Sequence, residues 1–309
     1  MENFQQTIIK MNWPEGKDFA FTIVDDTDHA TIERIKPIYD LLHKLKLKTT
    51  KTVWTFPHEN SQYKDTQTLE DEEYLGFIKR LIDNGFEIAS HGAKGNSSKR
   101  ETTIKAFESF YEKLGFYPRM HVNHAQNKEN LYWSFNRLFN IQKLLHNTGI
   151  KKYSKRGIGY GAVENSDYFW GDLSLKHIDY VRSGNFRNIN TLNVDRDMPY
   201  NEKRFPYVNA WFSGSDGSDY RSFIDLLSES NQTKLIKENG LCIVNTHLGV
   251  DGFLNQNGEP TNELVDVLSS MSTKNGWFVP ASEILDYLKV KKGLSQVNSF
   301  RHWYKTRNK

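Results

Sequence analysis

Cysteine is almost absent. Cys242 is the only one in 309 residues, so no internal disulfide can staple this chain. An excess of either charge is lacking too. Lys and Arg total 41 against 38 Asp and Glu, and the formal net charge of +3 is too small to mark a nucleic-acid surface. No run approaches the ~18 consecutive apolar residues of a membrane helix. Met1 to Gln6 lacks the basic, apolar pattern of a secretory signal. These absences predict a cytoplasmic protein with no membrane span and no nucleic-acid partner. No low-complexity linker and no internal repeat divides the chain. A length of 309 residues exceeds the usual domain but fits one large α/β barrel. A single domain over 1–309 is therefore expected, its core at about 17–289, followed by a basic tail at 290–309.

What is present begins with Phe19-Ala20-Phe21-Thr22-Ile23-Val24-Asp25-Asp26-Thr27-Asp28-His29. An apolar, β-branched run of this kind suits a buried strand, and the acidic cluster ends it. One Asp there would only turn the chain and cap the next helix. Adjacent carboxylates repel unless a cation or a proton lies between them.

Strand and helix signals then alternate. Apolar residues from Ile32 to Leu42 recur at helical spacing, and Thr49 to Phe56 reads as a second strand. A helix from Tyr74 to Ile82 stops at Gly85, and Phe86 to Ala89 is a short strand running into Ser90-His91. A helix around Ile104 to Leu114 stops at Gly115, and Met120 to Asn123 is a strand that reaches His124. Another helix is expected through Leu131, Phe135, Leu138, Phe139 and Leu145. After residue 218 the alternation resumes, with a helix over about Tyr220 to Lys237 and a buried strand, Leu241 to Thr246, that ends at His247. A helix at Leu264 to Leu268, a last strand at Trp277 to Val279 and a final helix around Ile284 to Leu288 complete the pattern. Repeated strand–helix units predict a parallel sheet, here a deformed (β/α) barrel of about seven strands. Residues 150–218 have no clean period and are rich in Gly, Asn, Tyr and Phe; they read as an irregular insertion on the substrate side.

Four strand ends carry groups able to do chemistry: Asp25/Asp26, His91, Asn123/His124 and Thr246/His247. In a parallel barrel these ends share one rim. A lone His after a strand is usually a hydrogen-bonded loop residue. One carboxylate with two imidazoles is a common set for zinc or a similar divalent metal.

In order and spacing these segments resemble the polysaccharide deacetylase superfamily, the NodB-homology carbohydrate esterases. Thr22-Ile23-Val24-Asp25-Asp26-Thr27 is similar to that family's Thr-Phe-Asp-Asp-Gly with one residue inserted. Gly85-Phe86-Glu87-Ile88-Ala89-Ser90-His91 and Gly240 to His247 match its later signatures, and Gly276 to Leu285 its closing strand and helix. The resemblance implies metal-dependent removal of acetyl groups from an acetamido sugar or glycan precursor. It implies that Asp25 is the general base, Asp26 and His91 are ligands of a divalent metal, zinc foremost, and His247 is the general acid. Two departures stand out. Position 95 is Gly where the family has a second His, and His121-Val122-Asn123-His124 stands where the family has Arg-Pro-Pro-Tyr. His124 is expected as the replacement ligand; Asn96 is a weaker substitute, and loss of the metal is the third option. Trp170, Trp211 and Asp216 are expected to contact substrate. Two rivals remain open: a carbohydrate-binding protein without catalysis, and a glycoside hydrolase using two carboxylates, Asp25 with Asp216.

Overall fold

The computed structural model describes residues 11–58, 62–133 and 158–297. Strand β1 (Phe19–Asp25) is followed by helix α1 (Ile32–Lys44), β2 (Thr50–Val53), α2 (Glu72–Asp83), β3 (Glu87–Ser90), α3 (Arg100–Leu114) and β4 (Met120–His121). Then come α4 (Gly171–His177), β5 (Tyr180–Phe186), α5 (Thr191–Val194), β6 (Tyr200–Asn201) and β7 (Ala210–Asp216). The chain continues with α6 (Tyr220–Leu226), α7 (Glu229–Lys237), β8 (Leu241–Thr246), α8 (Asn262–Ser272), β9 (Gly276–Trp277), α9 (Ala281–Lys292) and β10 (Ser295–Gln296).

Seven strands close on themselves in the order β7-β5-β4-β3-β2-β1-β8, with β7 returning to β8. Every pairing around this ring is parallel. The chain is thus the expected α/β barrel. β6 adds antiparallel to β7, β10 adds to β6, and β9 pairs only with the start of β1.

Two expectations need correction. Residues 150–218 are not an insertion beside the barrel, since they contain β5 and β7, two of its seven staves. Their sequences, Tyr-Val-Arg-Ser-Gly-Asn-Phe and Ala-Trp-Phe-Ser-Gly-Ser-Asp, lack the β-branched run that marked the other strands. Their polar residues are satisfied inside the fold instead: Ser213 Oγ lies 3.0 Å from Ser183 Oγ and 2.6 Å from Asp195 Oδ2. The strand expected at Trp277 to Val279 is only the two-residue β9 and takes no part in closing the ring. The helix expected through Phe135 to Leu145 and the basic tail from Arg301 to Lys309 lie outside the described residues.

The period of two along β1 decides where its acids point. Phe19, Phe21 and Ile23 pack with Ile35, Ile38 and Tyr39 of α1, in the layer between sheet and helices. Ala20 and Val24 fall in a second cluster with Val122, Val181, Phe212 and Ile243. Asp25 continues the first series and Asp26 the second. Asp25 is accordingly sealed under the helices with no exposed surface. Its Oδ2 accepts from Tyr39 Oη at 3.0 Å and lies 2.9 Å from Lys51 Nζ; its Oδ1 accepts from Leu248 N at 2.8 Å. Lys51 sits beside Asp25 in register on β2 and is itself fully buried. Burial works against the charged ammonium, but Asp25 outweighs it and holds Lys51 above its ordinary pKa.

Removing one member of a buried ion pair strands the other charge, which costs about 3–5 kcal/mol. Lys51→Met should therefore lower the unfolding free energy from urea titration by that amount. Lys51→Met combined with Asp25→Asn should recover more than half of the loss. Equal losses in the single and double variants would show that the pair does not hold the rim.

Candidate metal centre and its surroundings

The loop after β1 reverses sharply at His29, whose φ is +59°. Just before that turn, Asp28 projects toward the axis of the barrel. Its Oδ1 lies 3.6 Å from His91 Nε2 and 3.5 Å from His124 Nε2, and its Oδ2 lies 3.3 Å from His247 Nε2. Asp28, His91 and His124 each offer one ligand atom, all within 4.8 Å of one another. Donors bound tetrahedrally to zinc at ~2.0–2.1 Å are spaced by about 3.4 Å, so this set fits such an ion with little movement.

Burial adds to the fit. Asp28 Oδ1 and both ring nitrogens of His91 and His124 are buried without a hydrogen-bond partner. Native proteins seldom leave so many buried polar atoms unsatisfied, and a cation would satisfy three of these. Burial and neighbouring His91 push His124 down to about 4, so its imidazole is neutral at pH 7, as a metal ligand must be. Burial also opposes ionisation of Asp28, but the imidazoles of His247, His91 and His124 outweigh it and hold the carboxyl well below its usual range.

The structure moves the acids from their expected places. Asp26 is not in the Asp/His/His set. Arg182, from the lumen side of β5, grips it in a fork, Nη1 to Oδ1 at 2.9 Å and Nη2 to Oδ2 at 2.6 Å. Arg182 also donates to Asn245 Oδ1. Burial raises the Asp26 pKa, yet Arg182, His91 and His247 together bring it below the usual value. Asp25 faces the opposite side of the strand and has no access to the lumen. That removes the two-carboxylate reading that paired it with Asp216. The physical reason is the alternation of β1, which was legible in Phe19-x-Phe21-x-Ile23-x-Asp25. Sequence reasoning also missed Arg182; its only signal is a cation inside an otherwise apolar strand start.

His247 stands across the cluster. Its Nδ1–H donates to Ser218 O at 2.7 Å, and its Nε2 faces Asp28 and, at 3.7 Å, Asp26 Oδ2. Burial opposes its charge, but the two carboxylates push its pKa up to about 9.

Gly95 is closely walled. A Cβ there would come within 3.0 Å of Tyr63 and 3.1 Å of Trp54. These two rings fill the space a side chain would need. Trp54 stacks beside both imidazoles, 5.5 Å from His91 and 5.2 Å from His124, and its Nε1 donates to His91 O.

The expected substrate contacts divide. Trp170 and Trp211 are 1% and 0% exposed, so neither ring offers a stacking face. Trp170 packs on Phe107 and His121, and Trp211 on Phe205 and Tyr132. Their aromatic bodies are core residues of β-barrel walls and loops, and a burial pattern, not composition, separates the two uses. Asp216 does lie on the rim, at the end of β7 beside Asn245, with its Oδ2 3.9 Å from Arg187 Nε.

The polysaccharide deacetylase type of (β/α) barrel is the class this architecture defines. Two solved structures share it over nearly their whole length. One is Puue allantoinase, with a TM-score of 0.52, 12% identity, and coverage of 92% of this chain and 94% of the other. The other is a probable polysaccharide deacetylase from Pseudomonas aeruginosa PAO1, with a TM-score of 0.50, 11% identity, and coverage of 92% and 95%. No protein-family model and no curated protein matches the sequence. Among the described residues no helix is long and apolar enough to cross a membrane.

The histidines also set the response to acid. His121, buried between Ser90 and Asn123, is pushed down to about 3, by burial first and then by His91, and burial takes His58 to about 4. A histidine held below its unfolded value binds protons more weakly when folded. Its contribution is present above pH ~6.5 and lost as pH falls toward the folded pKa. The depressed carboxyls of Asp26 and Asp28 act in the same direction at lower pH. The melting temperature of metal-free protein should fall steadily from pH 7 to pH 4. His121→Gln should flatten that slope between pH 6.5 and 4; a curve parallel to wild type would remove His121 from the account.

Proposed function

We propose that this protein is a metal-dependent hydrolase that removes an acetyl group from an acetamido sugar or glycan precursor. The observation that carries the reading is the meeting, on one rim, of an Asp/His/His set with a carboxylate and an imidazole whose proton affinities are pushed in opposite directions. Asp28, His91 and His124 would hold the cation, with zinc the best match to their donor types. Such an ion, when bound, polarises the acyl carbonyl and makes water more acidic.

Asp26 is the base in this reading. Arg182 keeps it ionised and fixes both oxygens, so it meets the attacking water as an acceptor. His247 is the acid. It is charged at neutral pH, its Nδ1 proton is committed to Ser218, and its Nε2 proton points into the site for the leaving amine. Groups whose environments separate their pKa values in this way are candidates for the two halves of one acid–base reaction. The roles expected of Asp25 and Asp26 thus pass to Asp26 and Asp28. Thr27 between them lets one acid stay at the strand end while the next reaches the axis. Asp216 and the neighbouring Arg187 are the rim groups offered to a polar substrate.

The test is acetate or amine release from a panel of N-acetylated sugars, nucleotide sugars and oligosaccharides; allantoin, included because one similar structure is an allantoinase, is followed separately by the carboxylic acid that ring opening forms. Asp26→Asn and His247→Ala should each lower kcat by about 10²–10⁴-fold while metal content stays at the wild-type level. Asp28→Ala should lose the metal. Sugar binding without turnover by metal-loaded wild type would support the binding-protein reading instead.

A further inference from the structure

The two imidazoles of the candidate metal centre come from different strands. His91 follows β3 and His124 follows β4, so no short stretch of chain fixes their spacing. Something must hold the loop at 92–98 against the loop at 125–131. We propose that Glu129 is a positioning residue for that site, its buried carboxylate tying the loop that carries His124 to the loop that follows His91.

Glu129 is 4% exposed. Its Oε2 accepts from Ser98 N at 3.0 Å, across the gap between the loops. Its Oε1 accepts from Asn127 Nδ2 at 3.1 Å, and the same amide donates to Lys94 O at 3.2 Å. Lys128 N adds a third crossing to Ser97 Oγ at 3.0 Å. On the far side the Glu129 backbone is itself pinned. Its carbonyl accepts from Trp170 Nε1 at 2.6 Å, and Gly161 packs so tightly that a Cβ there would lie 1.9 Å from that oxygen. The tie then returns to the ligand. Asn123 holds Leu131 through both N–H and C=O, at 2.9 and 3.1 Å, and Asn130 donates to His124 O.

A buried carboxylate is an expensive choice for packing alone, and burial pushes this one up to about 7. An apolar side chain would fill the space but leave Ser98 N without an acceptor. The carboxylate earns its place by accepting from both loops at once. The proposal rests on Asp28, His91 and His124 being a metal site. Outer groups that orient ligands typically change metal affinity by about 10–100-fold when removed.

The experiment uses the full chain and Co(II) as the probe, reading both its visible absorption bands and its Kd. Wild type should bind one Co(II) with bands that Asp28→Ala abolishes. Glu129→Ala should raise the Kd by about 10–100-fold and shift the bands, since the His124 loop is released. Glu129→Gln should recover most of the affinity, because its Oε1 can still accept from Ser98 N. Asn127→Ala, which cuts the crossing to Lys94, should move both readouts in the same direction and decides the matter if Glu129→Ala does not fold. Wild-type Kd and bands in folded Glu129→Ala would overturn the positioning role while leaving the metal reading intact. Failure of wild type to bind Co(II) would overturn both.

Discussion

A single buried ion pair, Asp25 with Lys51, organises the rim. It joins β1 to β2 in register, takes a hydrogen bond from Tyr39 of α1, and catches the chain at Leu248 directly after β8. Four segments distant in sequence are thereby fixed at one point beneath the surface. A buried carboxylate is tolerated when its remaining valences are met, and here the extra donors to Asp25 come from a phenol and a backbone amide. The consequence for the site is directional. With Asp25 committed to the helix layer, Asp26 must face the lumen, and Asp28 leaves the strand beyond it. His247, adjacent to Leu248, is placed by the same carboxylate that sets Asp26.

The electrostatics above that pair form a sequence of decreasing constraint. Asp26 is forked by Arg182 and Asp28 is surrounded by imidazoles, so both are ionised. His124, His121 and His58 are driven neutral, mainly by burial, while His247 alone among these imidazoles is pushed toward its charged form. The difference follows from position. His247 has an oxygen on each side, Ser218 O at Nδ1 and carboxylates at Nε2, whereas His124 lies against the rings of Trp54 and Tyr63. One residue type therefore supplies both neutral donors and a proton carrier within a few ångströms, and the distinction comes from the second neighbour of each ring rather than from the histidine itself.

Much of this was legible in the sequence. The barrel class followed from alternating strand and helix signals, and the strands that stop just before His91 and His247 match apolar runs; β4, expected to run to Asn123, ends at His121 and leaves His124 on the loop beyond it. What escaped notice has physical causes. β5 and β7 carry serines that bond to one another and to Thr191 and Asp195 of the neighbouring helix, and an arginine that turns to Asp26, so the β-branched pattern of the other strands did not apply. Composition alone could not tell that Trp170 and Trp211 are walls and not platforms. Asp25 was expected to reach the site, but adjacent residues on a strand face opposite sides: Asp25 turns to Tyr39 and Lys51 under the helices, while Asp26 turns to Arg182.

Gly95 and His124 lie against the same pair of aromatic rings. With Gly at 95, the space beside His91 is taken by Trp54 and Tyr63, and these rings would have to move before any side chain could return there. The same two rings form the wall against which His124 rests. Glycine at 95 and the imidazole at 124 are therefore parts of one packing arrangement, in which the same two aromatic rings close the space at 95 and support His124. The base partner follows the same logic. His121 and Asn123 occupy β4 and its exit and bond to each other, and the guanidinium that steadies Asp26 comes one strand further on, from Arg182 of β5. Because every stave of a parallel barrel delivers its end to the same rim, a functional group can pass from one strand to its neighbour without changing what it reaches.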